Sequence, residues 1–286
     1  FVQPRVRYNE ALSFIQGGLQ DVSLTRRGLG WGVPVPWDPG QVFYVWWDAL
    51  LNYVTALSFA REGEDLTERF WPASYQLIGK DILKFHTIYW PALLMAADLP
   101  VPDHVFVHGF LLMDGEKMSK SLGNVLDPFA VIDRFGSDAL RYYLMRDVSF
   151  GQDGSVSAGA FEERYENELA NDYGNLASRT VAMIGRYRDG RAPDVRHDPE
   201  LDGDFEELAT RVTELLDQAE VTQALEEIWI RVRRLNRYVE ERAPWKLAKD
   251  EAAAGELDVV LASLVEGLRV ITVLLQPWLP ATSGRL

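Results

Sequence analysis

The chain has 286 residues, 47% of them apolar and 25% charged, a balance that fits one large globular domain or two ordinary ones with ample core. It contains no cysteine, which excludes disulfides and thiolate metal sites and suits a reducing cytoplasm. A net charge of −14 argues against indiscriminate nucleic-acid binding, while screening over about 8 to 10 Å leaves room for a local basic face; no apolar run reaches membrane-spanning length.

In chain order, residues 4–20 place Val6, Leu12, Ile15 and Leu19 at helical spacing. The Gly- and Pro-punctuated stretch "RRGLGWGVPVPWDPG" must be loop or short extended pieces. "QVFYVWWD" is β-rich and runs into the helical pattern "ALLNYVTALSFA". "YQLIGK" predicts a strand and "DILKFHTIYWPALLMAA" a helix with Asp81 as a plausible N-cap; "HVFVHGFLLM" predicts a third strand. Strand, helix, strand, helix, strand suggests parallel pairing through right-handed crossovers.

Beyond the stretch "GEKMSKSLGN", "DPFAVIDRFGSDALRYYLMRDV" predicts short helices broken at Gly136. From about Phe161 the pattern is helical almost throughout, first as one long helix or two separated by a kink at Gly174, and at the end with a stop at Pro277. The fold class read here is α/β plus all-α. It comprises the C-terminal half of a Rossmann-like parallel sheet over residues 1–109, a small junction over 110–158 and an antiparallel helix bundle over 159–286. The chain opens on Phe1 and closes on what reads as an unfinished helix, so both ends look cut.

"GEKMSKSLGN" sets two lysines three residues apart between glycines, a run that can close its charges on one polyanion. A solvated Lys/Ser turn is the ordinary alternative. Yet a given five-letter string arises by chance in a chain this long on the order of 1 time in 10,000. Lys-Met-Ser-Lys-Ser is the signature of class I aminoacyl-tRNA synthetases, and its neighbours resemble the methionyl-tRNA synthetase family over essentially the whole chain. "FYVWWDALLNY", "LIGKDILKFHTIYWPALL", "HGFLLMDGEKMSKSLGNV", "DALRYYLMR", "NDYGNLASR" and "ERAPWKLAK" stand in that family's order and spacing. The leucyl, isoleucyl and valyl relatives share the lysine motif without these neighbours.

Trp46, Ala49 and Tyr53 fall along one helical face, and His86 and Trp90 are four apart on another helix. Aromatic walls suit a polarizable thioether. The resemblance implies that these positions, with Phe85, surround the methionine side chain; for each ring taken alone, core packing is the better bet. Leu50 stands where some relatives have proline. Asp81 follows a strand at the carboxyl edge where open α/β sheets bind ligands, and matches an aspartate that takes ribose hydroxyls; helix capping is its structural alternative. His108 and Gly109 end the next strand, where glycine lets backbone approach a purine, and Leu111 would flank the adenine. Arg26, beside Arg27, matches an arginine that could contact the methionine carboxylate or the phosphates.

The implied chemistry is ATP-dependent activation of L-methionine to methionyl-adenylate, then transfer to tRNA(Met). Lys120 and secondarily Lys117 would stabilise the phosphates with Mg²⁺, while Ser119 and Ser121 hold the motif's shape. In the helical part, Asn175, Arg179 and Trp245 match the residues that recognise the anticodon. Asn175 and Arg179 are four apart on one helix, and Trp245 offers a face for base stacking or simply anchors a helix corner. Most arginines of "RVRRLNRYVEER" read as a solvated face paired with nearby glutamates. The family's His-x-Gly-His motif and zinc ligands have no match here: His86, His104, His108 and His197 lack that spacing. The chain alone is therefore expected to be inactive in adenylate formation, with no zinc site of its own. A non-catalytic tRNA-binding module is the rival from another class, and a synthetase for a different apolar amino acid is the second rival.

Overall fold

Alternation with period two in "YQLIG" and "HVFVH" buries one side chain and exposes the next, the pattern of strands whose one face is covered. A computed structural model of the chain describes every residue except Asp114 and 119–126, with the backbone alone at Lys117. It divides into two compact units, Phe1–Phe110 and Leu111–Leu286.

In the first unit, strand β1 (Val2–Gln3) is followed by helix α1 (Arg5–Gln16), then β2 (Thr25–Arg27), β3 (Pro34–Val35), β4 (Asp38–Phe43) and helix α2 (Val45–Thr55). After the single turn α3 (Thr67–Phe70) come β5 (Tyr75–Gly79), a 3₁₀ turn (Lys80–Ile82), a π-helical turn (Phe85–Tyr89), α4 (Trp90–Ala96) and β6 (His104–His108). β5 pairs in parallel with β6, Gly79 opposite His108, and the crossover between them runs through the π turn and α4. Val2, Ile78, Leu83, Val105 and Val107 form the core on the covered face.

Three expectations are corrected. The parallel sheet has the order β1-β6-β5, and its third strand is Val2–Gln3, not the "QVFYVWWD" run. Only Gln41–Phe43 of that run is strand, the end of β4, while Val45–Asp48 opens α2; β4 pairs antiparallel with β2 and β3, because the glycines and prolines of residues 28–40 fold it back on its own neighbours. "HVFVHGFLLM" is two strands: β6 ends at His108, and Leu111–Met113 joins a different sheet past Gly109 and Phe110. α1 forms as its spacing predicts, but Val6, Leu12 and Ile15 face outward while Ala11 is buried and Tyr8 packs on the sheet core.

The second unit opens with β7 (Leu111–Met113) and β8 (Glu116–Lys117), then α5 (Pro128–Phe135), α6 (Ser137–Arg146), β9 (Gly154–Val156) and α7 (Ala158–Arg164). A π-helical stretch (Tyr165–Gly174) leads without a break into α8 (Asn175–Arg188). The remainder is α9 (Pro199–Phe205), α10 (Leu208–Asp217), α11 (Val221–Arg242), the turn α12 (Pro244–Leu247), α13 (Ala254–Leu275) and the turn α14 (Pro280–Ser283). α11 packs on α10 and α13 around a core that includes Trp229, Leu235, Leu264 and Ile271. Gly136, at φ +87°, separates α5 from α6 as expected. Gly174 is required by the π register: a Cβ there would stand 2.9 Å from the Leu169 carbonyl oxygen.

Among the described residues no helix is long and apolar enough to cross a membrane.

Candidate functional site

The first unit gathers two groups of predicted residues. At the carboxyl ends of β5 and β6, Gly79 and His108 are register partners. A Cβ on Gly79 would lie 2.8 Å from an Asp81 carboxylate oxygen and 3.6 Å from the His108 ring, so the absent side chain is what leaves the Asp81 carboxylate room beside the strand end. Asp81 does not cap the helix: it sits inside the 3₁₀ turn that follows Gly79, and no backbone N–H there donates to a side-chain cap. It is exposed and has no hydrogen-bond or ion-pair partner among the described residues. His108 Nδ1 donates to the Gly109 carbonyl at 2.8 Å. Gly79 itself was not singled out from the sequence, although its place before Lys-Asp carried the signal.

The second group lies between α2 and the π turn. Trp46 stacks on Phe85 with ring centroids 3.9 Å apart and planes 9° from parallel. The His86 ring meets Trp46 edge-on at 6.1 Å and Tyr53 at 5.7 Å, and Tyr53 approaches Trp90 at 5.9 Å. A π turn adds one residue to the helical period, which turns Phe85 and His86 toward α2 while Trp90 points into the core. Trp90 is fully buried with Leu50, Val54, Trp71 and Leu94, so it serves as packing as well as wall. Leu50 belongs to that core. Ala49 lies exposed on the α2 face between Trp46 and Tyr53.

The tautomer of His86 follows from its partners. Ile82's carbonyl, 3.1 Å from Nδ1, can only accept, so Nδ1 carries the proton. Nε2 then accepts from the Tyr53 hydroxyl at 2.9 Å. Burial lowers the His86 pKa, against the opposing hydrogen bond to Ile82, and burial raises that of Tyr53. Both groups stay neutral at pH 7. The result is an uncharged aromatic cage able to hold an apolar, polarizable side chain.

Arg26 lies on β2 with its guanidinium 3.6 Å over the Tyr44 ring and hydrogen-bonded to the Ser23 and Thr25 carbonyls at 2.8 Å. Tyr44 immediately precedes α2, so Arg26 stands at the end of the helix that carries Trp46. Arg27 is exposed. Tyr44, Trp46 and Phe85 also line a cavity of about 710 Å³ that continues to Phe14 and Leu19. The remaining cage residues do not line it.

In the second unit, Leu111 begins β7 and is 38% exposed. Lys117 ends β8, and Ser119, Lys120 and Ser121 lie outside the described residues. On α8, Arg179 donates to Glu240 and Asn236 of α11, each at 2.8 Å, and Asn236 is held by the Asp172 carbonyl at 2.9 Å. Glu240 lies in the last turn of α11, and Pro244-Trp245 follow directly in α12. Trp245 keeps 38% of its surface exposed, and Asn175 is exposed one turn before Arg179. The arginines of α11 pair with acidic residues as read, Arg231 with Glu227, Arg233 with Glu226, and Arg234 with Glu200, Asp204 and Glu241, but Arg234 is largely buried and not on a solvated face.

A feature without any sequence signal is the ion network on Glu168. It accepts from the Tyr142 hydroxyl, from Arg146 at 3.0 and 3.2 Å and from Arg164 at 3.0 Å. Arg146 continues to Glu226, and Arg164 to Asp147 at 2.8 Å. Burial alone would raise the Glu168 pKa; the hydrogen bonds from Arg146 and Tyr142 and the two positive charges outweigh it and lower the value.

The parallel sheet with helices beside it agrees with the fold of class I aminoacyl-tRNA synthetases, and the family model described as "tRNA synthetases class I (M)" matches residues 3–181. The methionine–tRNA ligase of Caldanaerobacter subterraneus subsp. tengcongensis is 48% identical over 290 residues, covering 100% of this chain and 46% of its own length. That of Halalkalibacterium halodurans is 49% identical over 285 residues, covering 98% of this chain and 43% of its own. The Mycobacterium tuberculosis methionyl-tRNA synthetase, solved in complex with methionyl-adenylate, superposes with a TM-score of 0.93 at 42% identity over 100% of this chain and 57% of that one. The chain belongs to the methionyl-tRNA synthetase family. It spans about half the length of the curated relatives it matches.

Proposed function

We propose that the intact protein is a methionine–tRNA ligase that activates L-methionine with ATP to methionyl-adenylate and transfers the methionyl group to tRNA(Met) in the cytoplasm. The observation that carries this reading is the neutral cage of Trp46, Tyr53, Phe85, His86 and Trp90, closed by the hydrogen bond from Tyr53 to His86. Ring faces favour a thioether by dispersion, and an uncharged His86 avoids a cation against an apolar side chain. Ala49, small and on the same face, leaves space at the rim. The tuberculosis relative is solved with methionyl-adenylate, the intermediate of the first step.

ATP enters as its Mg²⁺ complex. Asp81 accepts from the ribose hydroxyls, with Gly79 keeping that edge open and His108 and Gly109 beside the base. Leu111, Lys117, Ser119 and Lys120 complete the ATP set by their match to the family motif, and Arg26 faces the carboxylate or the phosphates. As the methionine carboxylate attacks the α-phosphate, negative charge grows on the departing pyrophosphate. Lys120 and Lys117 stabilise that charge more in the transition state than in the ground state.

Residues 159–286 form the anticodon-binding bundle, where Asn175, Arg179 and Trp245 read the anticodon; residues 1–109 are the second half of the nucleotide-binding domain and 110–158 the junction bearing the lysine motif. A pure RNA-binding module would need neither the open carboxylate nor the cage. The chain by itself, without a His-x-Gly-His motif, is inactive in adenylate formation.

The test is ATP–pyrophosphate exchange by the full-length protein. Exchange that depends on methionine and not on leucine, with charging of tRNA(Met), supports the reading. Exchange driven equally by leucine, or tRNA binding without any exchange, sinks it.

A further inference from the structure

We propose that Ser155 is a positioning residue for the lysine motif: its hydroxyl holds the hairpin turn from which that motif leaves. The proposal rests on the reading of "GEKMSKSLGN" as the phosphate-handling segment. β7 and β8 pair antiparallel with Met113 opposite Glu116, and Gly115 immediately precedes β8. Gly115 has φ +84°, a conformation that glycine reaches without strain. Its N–H points away from the ladder and donates to Ser155 Oγ at 2.8 Å, a contact across 40 residues of chain.

Ser155 is the middle residue of β9, and everything beside it is fixed. On one side Gly154 is pressed against Val148, where a Cβ would come within 2.2 Å of a methyl carbon. On the other, Val156 is buried with Ala139, Tyr143 and Phe161. Ser157 then caps α7 by accepting from the Ala160 N–H at 3.1 Å, and its own N–H donates to the Tyr143 hydroxyl at 3.3 Å. β9 lies in parallel register with β7, Ser155 opposite Leu112, and Leu112 is in turn opposite Lys117. Ser155 and Lys117 therefore share one row across the three-stranded sheet. A rigid strand thus presents a single hydroxyl to the Gly115 N–H, two residues before Lys117.

Valine and threonine are isosteric strand formers that differ at this position in the hydroxyl alone. In full-length protein, Ser155→Val speeds amide exchange in the peptide spanning 111–118 by about three- to tenfold, the loss of one hydrogen bond of ordinary net strength, and Ser155→Thr leaves it within about twofold of wild type. The same Val substitution lowers kcat of methionine-dependent exchange by a similar factor at unchanged methionine KM, and Thr restores it. Unaltered amide exchange in the Val variant overturns the clamp, and this holds whether or not the protein is a ligase. Faster amide exchange with an unchanged kcat overturns the positioning role. A wild-type protein with no exchange activity refutes the ligase reading instead, while the amide measurement still judges the clamp.

Discussion

Two carboxylates show how differently the two units use charge. Asp81, in the first unit, is exposed and unpartnered among the described residues, and the glycine before it keeps its surroundings open. Glu168, in the second, is 9% exposed and accepts from a tyrosine and two arginines. Elsewhere in the first unit, α2 and the π turn are held by contacts between rings, from Trp46 on Phe85 to Trp71 on Trp90. Around Glu168 they are ionic and interlinked, and Asp198 repeats the pattern with Tyr238 and Arg242. A carboxylate saturated by its own protein has nothing left for a ligand; one held by backbone geometry alone keeps its lone pairs. Asp81 thus keeps its lone pairs for a ligand, whereas Glu168 uses its own in holding helices together.

The sharpest break of this contrast is Glu168→Ala. It leaves Arg146 and Arg164 without their shared buried partner, and should destabilise the second unit by about 3 to 5 kcal/mol in urea unfolding. Asp81→Ala, the matched change in the first unit, should shift stability by less than about 0.5 kcal/mol. Equal losses would show that Asp81 is structural.

Trp245→Ala in the full-length protein tests function in the second unit. It should cost about 1 to 3 kcal/mol in tRNA charging efficiency and spare methionine-dependent ATP–pyrophosphate exchange. A parallel fall in both activities would make Trp245 a helix-corner anchor.

Tyr53→Phe removes the hydroxyl that closes the cage. With about 1 kcal/mol for one hydrogen bond, methionine KM should rise about fivefold and the ATP KM stay unchanged. An unchanged methionine KM would place the amino-acid side chain elsewhere.

The smallest effect is on pH dependence. The folded His86 pKa lies below its unfolded value of about 6.5, so the unfolded chain binds more protons between the two. Stability of the first unit should therefore fall as pH drops below about 6.5, then level off beneath the folded value. Glu168 and Asp198 have folded values lowered from ordinary carboxylate positions, despite burial, by their hydrogen bonds and cationic partners. Their contribution is complete above about pH 4.5 and lost below it as pH passes through the folded values. Hydrogen exchange followed separately in peptides of the two units between pH 7 and 5 should show the first unit loosening alone. Simultaneous loosening would contradict the assignment of His86 as the neutral member of the cage.

The elements with strong local signals were legible without coordinates. The β5 and β6 strands, the Gly136 break, the glutamate-paired arginines of α11 and the pairing of α2 with the helix after β5 all follow from spacing and residue type. The place of Asp81 after a strand, at the carboxyl edge of the sheet, was legible. Its supposed capping role was not, because a π turn and a 3₁₀ turn replace the single helix that capping requires. Arg179 was singled out by its match to the family, whereas its partners Asn236 and Glu240 are 57 and 61 residues away and carry no local mark.

The sequence alone determined the family, the places of the main helices and of β5 and β6, and the residue types near those strand ends, since these depend on short-range spacing and residue identity. Only the tertiary structure decided which strand completes the parallel sheet, which face of α1 is covered, that the Tyr53 hydroxyl meets His86, and that Glu168 and Ser155 hold distant segments. Those outcomes depend on contacts between residues far apart in the chain, where no local periodicity records the partner.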